Sequence, residues 1–546
     1  MVSRESSLPR AVAEMRHRLP SLTLALVGSF CLTVTIQARS SQNAASEKDQ
    51  QILEIQRQIE NRNLTEANRL LTEAAKRFPA DPGLDNLRGV IAAQQDNYAA
   101  AEKDFSDAVR RAPEFTPAYL NLGRLYQENS RVDPQARRKA LDVYQRVLAY
   151  DSSNAEAHYQ SAVLLLQLGQ YQRSLDHVLR LPSQMQSSAQ SLSILCADHA
   201  ALGHRRPAEE AASRLLTNPD FSELDAQQSA AGLAAGKRDD LIISLFEDLQ
   251  ARQSLLPASL HTLGLAYERA NRLSDSRTAL EKFVTGGNLS VSSLLELARV
   301  AHKQRDYQGS LGYLAHAREL EPANASLHYD FGLVCLDLNL VAEARNSFEK
   351  AVALDPENAS YNYAMGAASA FRQDPTEAVP YFKKYLKLRP GDSRAPLALG
   401  AVYFRAKDYA SAIPWLTQAA AKSETAPQAH YYLGSIALQE KQLDAAYSEL
   451  DLALKAQPDY PDALAQLGDY YLLRKDYSRA ETPIRRALQI DPDHYSANFY
   501  LLTLYTRTGD ARREVQTQRF EDLKNRLAER TQEFLRIVEV RPFDTP

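Results

Sequence analysis

The chain has 546 residues, enough for three or four ordinary globular domains, yet only 20 are glycine, about half the usual share of roughly 7% and too few for a turn-rich β architecture. Hydrophobic residues are 44% and charged residues 24%, which excludes a disordered chain, and a net charge of −4 offers no general basic field for nucleic acid. Three cysteines (Cys31, Cys196, Cys335) exclude a disulfide framework.

The chain opens with Arg10, Arg16 and Arg18 ahead of an apolar run from Ser21 to Ile36. A basic segment followed by an apolar one is the pattern of a secretory signal. The run is about 16 residues, short of the roughly 20 that span a bilayer. Ile36 is large for a cleavage site before Ala38, so residues 1–38 read either as a cleaved signal peptide or as an N-terminal anchor formed by residues 19–38. Translation from Met15 would give a more usual leader. Phe30 before Cys31 argues against a lipoprotein box. The protein is expected to be exported, periplasmic or extracellular, with a possible membrane tether through this segment. Residues 39–47 read as a linker.

A repeat then takes over. Small residues recur at Gly89, Gly123, Gly264, Gly332, Gly366, Gly400, Gly434 and Gly468, the last five each 34 apart. Ala298, Ala230, Cys196 and Ala162 keep the same phase. A second small residue follows twelve positions later, as at Ala101, Ser174, Ala208, Ser310, Ala344, Ala378, Ala412, Ala446 and Ala480. Prolines close many units: Pro79, Pro113, Pro322, Pro356, Pro390, Pro458 and Pro492. Units start at 48, 82, 116, 155, 189, 223, 257, 291, 325, 359, 393, 427 and 461, and fill 48 to 494. The unit at 116 carries five extra residues around Arg131–Gln135. Units from 155 to 290 are degenerate: they lack the closing proline, and Ile242 stands where a small residue belongs. The six units from 291 to 494 are regular.

These residues resemble the tetratricopeptide repeat (TPR) family over about four-fifths of the chain. The resemblance implies an all-α fold, an α-α superhelix (solenoid) of tandem 34-residue helical hairpins, with helices A and B in each unit and a concave groove lined by A helices. Small residues at positions 8 and 20 let the paired helices approach, and a larger side chain there would overpack. Tyr98, Tyr171, Tyr307, Tyr409 and Tyr477, at position 17, should wedge the pair. Proline at position 32 ends helix B. Asn324 and Asn358 then sit where a helix N-cap is wanted; both are also Asn-x-Ser sequons, as is Asn288.

After Ser496 one more A-type helix is expected over Asn498–Thr508, ended by Gly509. Residues 510–540 read as a charged helix with Phe520, Leu523, Leu527, Phe534 and Ile537 on one face. That face suits a cap on the last repeat, or a short dimerising coiled coil; residues 495–546 are taken as capping helices and tail.

Chemistry-bearing motifs are absent. There is no His-Glu-x-x-His, no Cys-x-x-Cys and no phosphate-binding glycine loop. His158, His328 and His430 fall at position 4, a packing slot, and Cys196 and Cys335 read as small buried residues. About 50 residues follow the last full repeat, too few for a catalytic domain. No enzyme, cofactor or metal site is expected.

In the family, positions 2, 5, 9, 12 and 13 of helix A face the groove. Here they supply Tyr329, Leu333, Leu336, Tyr363, Phe371, Leu397, Phe404 and Tyr431, an apolar and aromatic stretch suited to a peptide with apolar anchors. The same tyrosines also fit ordinary packing between units. The preceding units place His261, Arg269, Arg299, His302 and Lys303 at or near groove positions, a patch for an acidic ligand or simply a solvated basic face. The asparagines of the two-carboxylate clamp of chaperone-tail-binding TPR proteins are missing. The expected function is a non-enzymatic protein-protein interaction scaffold that binds a peptide or protein partner, in a cell-envelope assembly. The alternative is an exported subunit assisting polysaccharide synthesis or export, although no alternating strands are present for the outer-membrane barrel of the cellulose-export family. RNA reading by related helical repeats conflicts with export and with the acidic balance.

Overall fold

A computed structural model of the chain describes residues 47–131, 133–370 and 375–527. The apolar segment at 21–36, Cys31, Phe371, Phe534 and Ile537 lie outside the described residues. Within them the protein is all α-helix, with no strand. None of these helices is long and apolar enough to cross a membrane. The chain divides into two compact units between Asn271 and Arg272.

In both units the helices follow one another as antiparallel pairs. The pair Ala325–Asp337 and Val341–Leu354 is representative. A methyl group on Gly332, at position 8, would lie 2.5 Å from the Phe348 ring at position 24. Gly89 meets Phe105 in the same way in the first unit, at 2.6 Å. Where position 8 carries a side chain, the opposite residue can shrink: Cys196 stands across from Ala212, and its thiol reaches the Ala208 carbonyl at 3.6 Å. Burial raises the Cys196 thiol to about 12 and the Cys335 thiol to about 11, so both are inert packing groups.

The turn from A to B has a chemistry the repeat pattern does not announce. Position 15 is left-handed, with φ between 55° and 62°, at Arg62, Asp96, Lys237, Asn271, Arg305, Asn339, Lys407, Lys441 and Lys475. Only Gly169 and Gly203 fill it with the residue suited to that conformation. In several units the next residue caps helix B: Asn97 accepts from the Ala100 amide, Asp306 from Gly309 and Asp408 from Ser411, whereas Gln170, Arg238 and Leu340 at the same position make no such bond.

In four repeats position 4 of helix A is a lock between units, whereas His430 at the same position lies 2.7 Å from Glu449 on the B helix of its own unit. His328 donates its Nε2 proton to the Pro322 carbonyl at 2.9 Å, Asn362 donates to Pro356 at 2.9 Å, and Asn498 donates to Pro492 at 3.1 Å. His158 does the same to Ser152 at 3.0 Å. Each satisfies the carbonyl freed where the preceding helix B ends near its closing residue. Asn324 caps Ala325–Asp337 through the Ser326 amide, and Asn358 accepts from the Tyr361 amide at 3.4 Å.

Irregularities concentrate in the first unit. In the unit with the five extra residues a short 3-10 turn, Asn129–Arg131, stands between the A helix and Ala136–Tyr150. Tyr171–Val178 is a truncated B helix, followed by the four-residue helix Ser183–Gln186. Beside it Asp198 is fully buried, and neither carboxyl oxygen has a hydrogen-bond partner among the described residues. The nearby Ser174 hydroxyl is spent on the Ala162 carbonyl at 3.0 Å. Burial pushes the Asp198 carboxyl up to about 8.

At the other end of the chain, Tyr495–Thr508 stops at Gly509, which is left-handed at φ 68°. Arg513–Leu527 packs back on it. Phe520 stacks on Tyr495 at 5.1 Å and on Phe499 at 5.7 Å, and Gln516 bonds both the carbonyl and the side chain of Asn498.

Candidate functional site

The apolar stretch read from the A helices separates into a floor and a rim. Tyr329 and Tyr363 are only 7% and 5% exposed. Tyr329 packs on Phe348 and Tyr361 at 5.9 and 5.1 Å, and its buried hydroxyl has no hydrogen-bond partner among the described residues. Tyr363 packs edge-on against Phe382 at 5.5 Å and against Tyr385 at 4.9 Å. Leu336 and Leu397 are buried with them, as are Ala367 and Ala401. Leu333, Phe404 and Tyr431 remain half-exposed on three A helices of the second unit. Phe404 is braced by Tyr432 at 5.1 Å, and Tyr431 by Tyr432 and Tyr460 at 5.1 and 5.6 Å. Aromatic neighbours therefore hold the two rim rings in fixed orientations, which lowers the entropy lost when a partner binds.

Beside Tyr363 lies a polar cluster that composition and phase do not announce. Arg394 donates to Asp392 and, through Nη2, to the Tyr385 hydroxyl at 2.7 Å, while Tyr385 donates to Asp392. Its guanidinium stands 5.5 Å from the Tyr363 ring centre. Burial alone would raise the Asp392 carboxyl, but the bonds from Arg394 and Tyr385 outweigh it and hold it at about 2. Two other carboxyls on A helices are raised to about 6 by burial, Asp330 and Asp469.

The basic residues have partners within their own units. In the first unit, Arg269 pairs with Asp239 at 2.7 Å, and His261 is half-buried on the same helix. In the second unit, His302 Nε2 lies 2.7 Å from Asp337 and its ring meets Tyr307 edge-on at 5.2 Å. Arg299 and Lys303 are exposed on the same helix as His302. The residues do not form one described site: His261 and Arg269 belong to one compact unit, and Arg299, His302 and Lys303 to the other. No group of three or more His, Cys, Asp or Glu is placed to hold a metal ion among the described residues.

A profile of the tetratricopeptide repeat family matches residues 52–114, 120–188, 261–325, 295–359, 329–393, 363–427 and 448–495, and a second tetratricopeptide profile matches 403–469. No curated protein matches the chain. Among solved structures, the chain is similar to the anaphase-promoting-complex hetero-tetramer Cut9–Hcn1 (13% identity, 84% of this chain and 97% of that chain covered, TM-score 0.35). It is also similar to yeast Tom70 (15%, 85% and 99%, TM-score 0.34) and to YrrB, described as a TPR protein with an unusual peptide-binding site (24%, 34% and 95%, TM-score 0.27).

Proposed function

Because the chain belongs to the tetratricopeptide repeat family, we propose that it is a non-enzymatic interaction scaffold that binds an apolar peptide or protein segment along the A helices between 325 and 440. The observation that carries this reading is the half-exposed rim of Leu333, Phe404 and Tyr431 above the buried floor of Tyr329, Leu336, Tyr363 and Leu397. A fixed apolar floor with oriented aromatic groups at its edge suits side-chain anchors of a partner. The basic stretch and apolar run at the N-terminus support export, and with it a partner in a cell-envelope assembly.

The test is affinity capture from envelope extracts, comparing the natural chain with the variant Leu333→Ser, Phe404→Ala, Tyr431→Ala. A protein retained by the first and lost by the second supports the reading. Equal retention by both would overturn the site, and retention of glycan in place of protein would favour the polysaccharide role.

A further inference from the structure

A cleft of about 380 Å³ opens among the last three described helices, Tyr477–Ile490, Tyr495–Thr508 and Arg513–Leu527. Leu488, Leu501 and Tyr505 supply its apolar surface. Leu501 and Tyr505 are buried, whereas Val515, which lines the cleft from the last helix, is 76% exposed. A valine left that open gains by burial against a partner.

Three arginines line the same cleft, and no carboxylate lines it among the described residues. Two of the three are already matched. Arg485 donates Nε to Glu481 and Nη2 to the Tyr505 hydroxyl, both at 2.7 Å. Arg512 pairs with Asp510 at 2.6 Å and with Glu481 at 3.1 Å, and its guanidinium stands 4.4 Å from the Tyr505 ring centre. Arg519 differs. It donates Nη2 to the Pro492 carbonyl at 3.0 Å, but it forms no ion pair among the described residues. The backbone bond therefore positions a guanidinium whose charge is unmatched. Such a fork suits a carboxylate, which accepts two parallel N–H bonds.

Charge and surface together narrow the occupant. An inorganic anion would match Arg519 and leave the apolar surface wet. An aliphatic side chain alone would cover that surface and leave the arginine unmatched. An acidic residue beside a large apolar one uses both. The volume is at the small end of ligand clefts, which suits two neighbouring side chains of a peptide.

We propose that this cleft is a second docking site, which takes a protein segment carrying an acidic side chain next to a large apolar one. The carboxylate meets Arg519, and the apolar side chain lies against Leu488, Leu501 and Val515. The site lies outside the A helices between 325 and 440 and does not depend on the binding proposed for them.

The experiment passes the full chain over four immobilised libraries of short peptides, blocked at both ends. Each has a fixed central pair, Glu-Leu, Gln-Leu, Glu-Ser or Lys-Leu, among random small residues. The Glu-Leu library should be retained about tenfold more strongly than Gln-Leu or Glu-Ser, and Lys-Leu least of all. Arg519→Gln should remove the preference for Glu over Gln, and Arg519→Lys, which keeps the charge, should retain part of it. Val515→Glu, at an exposed position, should lower Glu-Leu retention about tenfold and leave the melting temperature unchanged; where Arg519→Gln loosens the last helix, this variant decides. The groove variant Leu333→Ser, Phe404→Ala, Tyr431→Ala should leave the preference intact. Equal retention of Glu-Leu and Lys-Leu, a preference that survives both Arg519→Gln and Val515→Glu, or one lost with the groove variant would overturn the second site while leaving the groove reading standing. Failure of every library to bind would overturn it too.

Discussion

Phe348 occupies the space that any side chain on Gly332 would need: a Cβ there would stand 2.5 Å from the ring. The fully buried ring has no route outward, so the small residue at position 8 and the large one at position 24 specify each other.

That relationship separates two kinds of glycine. Gly332→Ala should lower stability by about 1–3 kcal/mol through overpacking. Gly203→Ala meets nothing within 4 Å, but φ is +77°, so it should cost about 1 kcal/mol through backbone conformation alone. Asparagine, which tolerates the left-handed region, should recover most of the loss at 203 and none at 332. Urea unfolding midpoints of the four variants check this; equal behaviour of Asn at both positions would contradict it.

Burial raises the Asp198 carboxyl above its unfolded value. The native state therefore holds a proton that the unfolded chain releases, and the resulting stability is full below about pH 4 and declines as pH rises towards about 8. Asp198→Asn should raise the melting temperature at pH 8 and leave it nearly unchanged at pH 4. A parallel shift at both values would show that the charge is not the cause.

Asn362→Leu leaves the Pro356 carbonyl without its 2.9 Å donor. The expected cost is about 0.5–1.5 kcal/mol, the net worth of one hydrogen bond whose acceptor sits on an exposed residue. Amide hydrogen exchange should show the loss first at the turn over 355–359. Uniform change across the unit would argue for a packing effect instead.

The rim and the floor of the groove should respond differently. Tyr363→Ala empties a buried aromatic site and should cost about 3–5 kcal/mol, so reduced binding by that variant would say little about contact. Leu333→Ala and Tyr431→Ala should leave the helical signal intact and weaken partner affinity about tenfold together. Unchanged affinity of the double variant, measured by calorimetry with the captured partner, would remove these residues from the site.

The TPR period, the paired helices, the small residues at positions 8 and 20 and the proline stops are all legible in the residues themselves, because each is a local steric rule repeated at a fixed interval. Position 15 was not legible: Arg62, Asp96 and Asn339 differ in charge and share only a backbone conformation that the turn imposes on the residue standing there. The role of position 4 was half legible, since His158 and His328 read as packing residues until the Ser152 and Pro322 carbonyls are seen to need donors.

The groove divides the same way. Phase alone places Tyr329, Tyr363, Phe404 and Tyr431 on A helices. Which of them closes over with its neighbours and which keeps an open face depends on how successive helices stack. Periodicity along one chain carries the direction of a side chain, but its exposure and its partners arise only when residues from different repeats meet in space.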